Sequence, residues 1–182
     1  MEDLPGRIVA GSLRSRLRSL PQGVSDGALF FAVAVVAYTV AGAVWGALYP
    51  TTEVRVSDDL SVDIVPGTEG AGFVAYAWFI GGTFVLGIVL SRWSFRSMKR
   101  SVGQMFWVFL CVLFGAWWFV FTGGYVVSLM HSGDSSVEAG AVIEVADQVY
   151  PWPGVLVAPT FAVLAYWIGA VISDPEWFEG RS

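Results

Sequence analysis

Four stretches of this chain are apolar throughout and free of ionisable side chains. Residues 28–48, 73–90, 105–129 and 155–172 contain no Asp, Glu, Lys, Arg or His. Each reaches or exceeds the ~18 apolar residues that suggest a crossing of a hydrocarbon core about 30 Å thick. Lipid offers no water to peptide groups, so a spanning segment satisfies its own backbone by forming a helix. The pattern predicts four transmembrane helices. Between the first two, Val54 and Val56 alternate with polar residues, as do Leu60, Val62 and Ile64, and Ser57, Asp58 and Asp59 sit between the two runs. That reads as a β-hairpin over 52–56 and 60–65. Val142, Ile143 and Val145 predict a third strand over 141–146. An isolated hairpin is marginal in water, so the expected arrangement is a three-stranded cap. The predicted fold class is an all-α integral membrane protein, a four-transmembrane-helix bundle with a small extracytoplasmic β cap. It forms a single membrane domain over 1–182, with outer loops at 49–72 and 130–154.

Charge then orients the bundle. Only 14% of the 182 residues are charged, against about 25% in soluble domains, and the charges crowd into loops and tails. Arg7, Arg14, Arg16 and Arg18 precede the first span; Arg92, Arg96, Lys99 and Arg100 lie between the second and third; Arg181 follows the fourth. Four crossings put nine of the ten basic residues on one side, and Arg55 alone on the other. The excess of Lys and Arg marks the cytoplasmic side, so both termini are expected there. The opposite side holds Glu53, Asp58, Asp59, Asp63, Glu69, Asp134, Glu138, Glu144 and Asp147. The first apolar run, about 20 residues, exceeds the 7–15 of a cleaved signal peptide, so a retained span is expected.

The segment 1–27 reads as a cytoplasmic basic amphipathic stretch. Val9, Leu13, Leu17 and Leu20 share one helical face, and Arg7, Arg14 and Arg18 another. Such a helix lies along an anionic leaflet, although a mobile basic tail fits equally well. Arg14, Arg18, Arg92, Arg96, Lys99 and Arg100 are the expected membrane-surface residues. The short basic segment 91–101 predicts that spans two and three are antiparallel neighbours. Tyr49, Tyr150 and Trp152 near one boundary, and Trp93, Trp107 and Trp177 near the other, read as interfacial anchors. Pro159 belongs in the first turn of span four or kinks it, and Pro151 and Pro153 stiffen the approach.

Small residues point to helix packing. Gly42 and Gly46 form a GxxxG pair, Ala165 and Gly169 a similar one, and Gly82 lies in a glycine-bearing second span. Such residues let backbones approach closely in lipid. Span three is the reverse: Phe106, Trp107, Phe114, Trp117, Trp118 and Phe121 are expected to face lipid or a partner, because so many rings cannot all point inward.

Candidate chemistry is sparse. Ion and proton pathways use ionisable residues within the membrane, and the spans hold no Asp, Glu, Lys, Arg or His, only scattered hydroxyls such as Thr39, Thr83, Thr122 and Thr160. Haem needs an axial ligand, and no span holds a His. Cys111 is the only cysteine, which excludes an intrachain disulfide. His131 near Asp134, and the cluster Asp58, Asp59 and Asp63, suit solvated loop residues better than a metal site or an acid–base pair. No GxSxG, Walker A, HExxH or CxxC pattern occurs. No catalytic residue, cofactor or metal is expected.

The stretches 69–82 and 150–160, with the four-span layout, resemble a group of small actinobacterial membrane proteins classed as a domain of unknown function. The resemblance implies an inner-membrane location and brings no catalytic residues. The expected function is a non-catalytic accessory or scaffolding subunit of a larger inner-membrane complex, such as a respiratory supercomplex or envelope-assembly machinery. The alternative is a small transporter or lipid-handling membrane protein, and an envelope enzyme acting through the outer carboxylates is a distant third. Expected partners are membrane lipid and other membrane protein subunits; nucleic acid is not among them.

Overall fold

A computed structural model of the chain describes residues 22–56, 62–64, 66–67, 70–130, 142–145 and 149–173. Four long helices account for most of them: α1 (Gln22–Ala47), α2 (Ala71–Ser97), α3 (Val102–Met130) and α4 (Val157–Ser173), the last entered through a 3₁₀ turn at Gly154–Leu156. All four are long and apolar enough to cross a membrane, and no more than a third of each span's apolar window is buried. Phe73 and Leu48 are both 77% exposed and Ile172 is 76% exposed. A soluble protein keeps contiguous apolar surface far smaller than this, so the surrounding medium is hydrocarbon. The chain is a multi-pass membrane protein.

The helices outrun their uncharged cores. α1 begins at Gln22, inside the segment 1–27 expected to lie along the membrane surface; residues 1–21, with Arg14 and Arg18, lie outside the described residues. α2 continues to Ser97, through much of the expected loop 91–101, leaving a turn of four residues. Nothing between Ser91 and Ser97 stops a helix, and long arginine side chains reach the interface from the last turns. Pro159 sits in the first turn of α4, where its missing N–H would have no helical partner in any case.

That tight turn joins α2 to α3, yet the most extensive packing is elsewhere. α1 lies against α3, and α2 against α4, with α3 and α4 also in contact. Both main pairs are parallel, since contacts advance together along each helix. Gly27 meets Trp107, Gly42 meets Phe119 and Gly46 meets Gly123; Gly87 meets Ala158 and Gly169 meets Phe95. The expectation that spans two and three pack as neighbours holds at the turn, whereas the core is set by small residues that the two parallel pairs bring face to face.

Two aromatic residues of α1 tie three helices together. The Tyr38 ring covers Gly115 of α3, and its hydroxyl donates a long 3.4 Å hydrogen bond to the Thr83 carbonyl of α2. Two turns on, the Trp45 ring covers Gly123 of α3, and its Nε1–H donates to the Ala75 carbonyl of α2 at 3.0 Å. Gly42 of α1 in turn lies against α3 backbone: a Cβ there would fall 2.6 Å from the Phe119 carbonyl oxygen. The rest of the core, including Phe30, Phe79, Val108, Val112 and Ala162, fills the space around these contacts.

The α2–α4 pair repeats at four-residue steps. Gly87 lies under the Ala158 carbonyl, the Ser91 hydroxyl donates to the Ala162 carbonyl at 2.6 Å, and Phe95 meets Tyr166 edge-on at 5.3 Å. The buried face of α4 runs through Ala158, Ala162, Tyr166 and Gly169. Ala165, expected to pair with Gly169 in packing, is half-buried. Its turn of helix is offset from that face by the 3.6-residue repeat.

Beyond the end of α1, β1 (Thr52–Val56) pairs antiparallel with β2 (Val62–Ile64) on one side and β3 (Val142–Val145) on the other. The order is β2–β1–β3, with Val54 opposite both Ile64 and Ile143. β2 lies within the expected 60–65, of which residues 60, 61 and 65 lie outside the described residues.

Candidate interaction surfaces

The most distinctive outward feature is a ladder of rings on α3, extended by α1. Phe114 stacks on Trp118 (5.9 Å, 15°) and Trp117 on Phe121 (6.0 Å, 13°), each one helical turn apart. Trp118 also stacks on Phe121 at 5.2 Å, and Phe31 of α1 joins at 5.4 Å from Phe114 and 6.4 Å from Trp107. Phe106, Trp107, Phe114, Trp117 and Phe121 are exposed. Trp118 is half-buried, in contrast to its expected outward placement, because an indole N–H needs an acceptor within hydrocarbon. It finds the Thr39 hydroxyl at 2.9 Å, which in turn donates to the Val35 carbonyl. The Trp107 indole likewise donates to the Gly27 carbonyl at 3.2 Å. The ladder is thus pinned to α1 at two points.

The glycines divide by surroundings. Gly42 and Gly46 lie at the α1–α3 contact and Gly169 against Phe95 and Arg92. Gly82 is different: the nearest atoms to an added Cβ belong to the Phe119 ring at 3.9 Å. Sequence reading placed Gly87 among the packing glycines of the second span but missed Gly115 and Gly123, which are tightly covered, and the rings of Tyr38 and Trp45 that cover them. The only signal was spacing: Tyr38 and Trp45, and Gly115 and Gly123, each lie two helical turns apart.

The span hydroxyls are used locally. Thr39, Thr83, Thr122 and Thr160 each donate to the carbonyl four residues earlier on their own helix. Such back-bonding satisfies a hydroxyl in an apolar setting. A polar cluster gathers at the α2–α3 turn, where the Gln104 amide nitrogen lies 3.0 Å from the Ser94 hydroxyl and 2.9 Å from the Met98 sulfur. Arg92, Arg96, Lys99 and Arg100 are exposed at the same end, and the Arg100 guanidinium lies 4.4 Å above the Phe95 ring.

Two apolar recesses open on the bundle's sides. One, of about 460 Å³, lies between the start of α1 and Gln104 and Trp107 of α3. The other, of about 440 Å³, lies between α1 and α2 over Trp45 and Phe119. Among the described residues, no group of three or more His, Cys, Asp or Glu side chains converges. Cys111 is buried. His131, Asp58 and Asp59 lie outside the described residues, as does the Asp63 side chain.

Compared with known proteins, the chain matches no family model, no curated protein and no solved structure.

Proposed function

We propose that this chain is a non-catalytic accessory or scaffolding subunit of a larger inner-membrane complex, docked through the aromatic face of α1 and α3. The observation that carries the reading is the ladder of ring contacts among Phe31, Phe114, Trp117, Trp118 and Phe121. Rigid aromatic side chains offer large contact area at small entropic cost and dominate protein interfaces. Indole tips already bonded to Thr39 and Gly27 leave the ring faces as what the surface presents.

In this reading both termini and the α2–α3 turn lie in the cytoplasm, and the three-stranded sheet caps the extracytoplasmic end. The charge asymmetry supports that orientation, with nine of ten basic residues on one side of the four spans.

The test is purification from native membranes in mild detergent, comparing wild type with a Trp117→Leu, Phe121→Leu double variant. The expected result is a membrane protein recovered with the wild type in fixed stoichiometry and lost from the variant, while the thermal midpoint of the isolated subunit is unchanged. Recovery of free wild-type monomer alone, or an undisturbed partner in the variant, overturns the reading.

A further inference from the structure

The recess between α1 and α2 goes beyond the docking surface and stands independently of it. Its floor is Trp45 and Phe119, both nearly inaccessible, and its walls are Val44 and Leu48 of α1 and Trp78 of α2, all exposed at the rim. Gly82 leaves it deep by contributing no side chain. The recess exists because α1 and α2 are bridged by the tips of Tyr38 and Trp45, with little direct packing between them.

Its contents follow from what lines it. The one side-chain polar group on the floor, the Trp45 N–H, is committed to the Ala75 carbonyl. A trapped water needs two to four polar partners, so apolar recesses of this kind stay dry. A volume of about 440 Å³ falls within the range of real ligand sites, and its mouth opens sideways into hydrocarbon. From Ala41 to Leu48 it runs about 10 Å along the helix axis, most of the depth of one leaflet of a core about 30 Å thick. Pro50 lies at the end nearest the sheet.

We infer that this recess is a binding site for one acyl chain of a phospholipid in the leaflet at the sheet end of the bundle. The chain lies along α1 with its headgroup level with Tyr49 and Pro50. It touches Trp45 and Phe119, which lipid merely surrounding the bundle does not reach.

The full chain is reconstituted in phosphatidylglycerol vesicles doped with a phosphatidylglycerol bearing a diazirine on one acyl chain. After irradiation, adducts are mapped by mass spectrometry. The expected result is labelling at Trp45, with a lesser yield at Phe119, clearly above that at the fully buried core residues Phe79 and Val108. Gly82→Leu fills the recess and lowers the floor labelling several-fold, whereas Gly81→Leu, at a position open to the exterior, leaves it unchanged. Ala41→Leu fills the same space from α1 and repeats the loss should Gly82→Leu fail to fold. Adducts confined to Val44, Leu48 and Trp78 at the rim, or floor labelling that persists in a folded filled variant, overturn the assignment.

Discussion

The Trp45 ring lies so close over Gly123 that a Cβ there would fall 2.7 Å from its Cζ3 atom. In lipid no hydrophobic effect drives helices together, so close backbone approach and satisfied polar tips hold the bundle. Trp45 supplies both, with its ring on α3 and its N–H on α2. Tyr38 does the same two turns earlier.

Trp45 and Gly123 are therefore coupled. Gly123→Ala is expected to destabilise the bundle by about 1–3 kcal/mol through overpacking, and Trp45→Ala by about 3–5 kcal/mol. The double variant costs less than the two together, because the added methyl meets no ring once Trp45 is gone. Reversible unfolding in mixed micelles checks the cycle; simple additivity would show that the contact is not made.

The glycines separate into two classes. Gly42→Ala and Gly46→Ala are expected to lower the unfolding midpoint, because each new Cβ would collide with α3 backbone. Gly81→Ala and Gly124→Ala meet nothing within 4 Å and are expected to be neutral or to stabilise by up to about 1 kcal/mol. A thermal-shift scan of the four variants distinguishes the classes.

Ser91 carries a small energetic load and a strict spatial one. Ser91→Ala removes the hydrogen bond to the Ala162 carbonyl and is expected to cost about 0.6 kcal/mol, the average for such bonds in membranes. Ser91→Leu has no room between α2 and α4, since Ser91 is fully buried, and is expected to lower the midpoint far more. Equal effects of the two would contradict the described α2–α4 contact.

Much of this architecture was legible in the sequence, for physical reasons that also explain the rest. The spans were visible because hydrocarbon tolerates no charge, so their uncharged runs stand out. The strands were visible because alternation at Val54, Val56, Val62 and Ile64 fits a pleat. Which helices pair was not legible. The GxxxG at Gly42 and Gly46 identifies a close-packing face without naming its partner, and that partner, around Gly123, is not itself a GxxxG. Helix ends were misjudged at Gln22 and Ser97 because hydropathy marks where lipid begins, whereas a helix continues until something stops it. The aromatic excess of α3 was evident, but not that Trp118 would turn partly inward to reach Thr39. Both recesses depend on the spacing between helices, which no single segment encodes.

The membrane architecture itself is tested most directly by cysteine accessibility in intact cells. Cys111 is buried, so the native chain is silent to an impermeant maleimide. Glu53→Cys places a thiol on β1 and Lys99→Cys places one in the α2–α3 turn; both positions are exposed. The account predicts labelling of Glu53→Cys in intact cells and of Lys99→Cys only after the membrane is permeabilised. Labelling of Lys99→Cys in intact cells, or of both thiols alike, would contradict it.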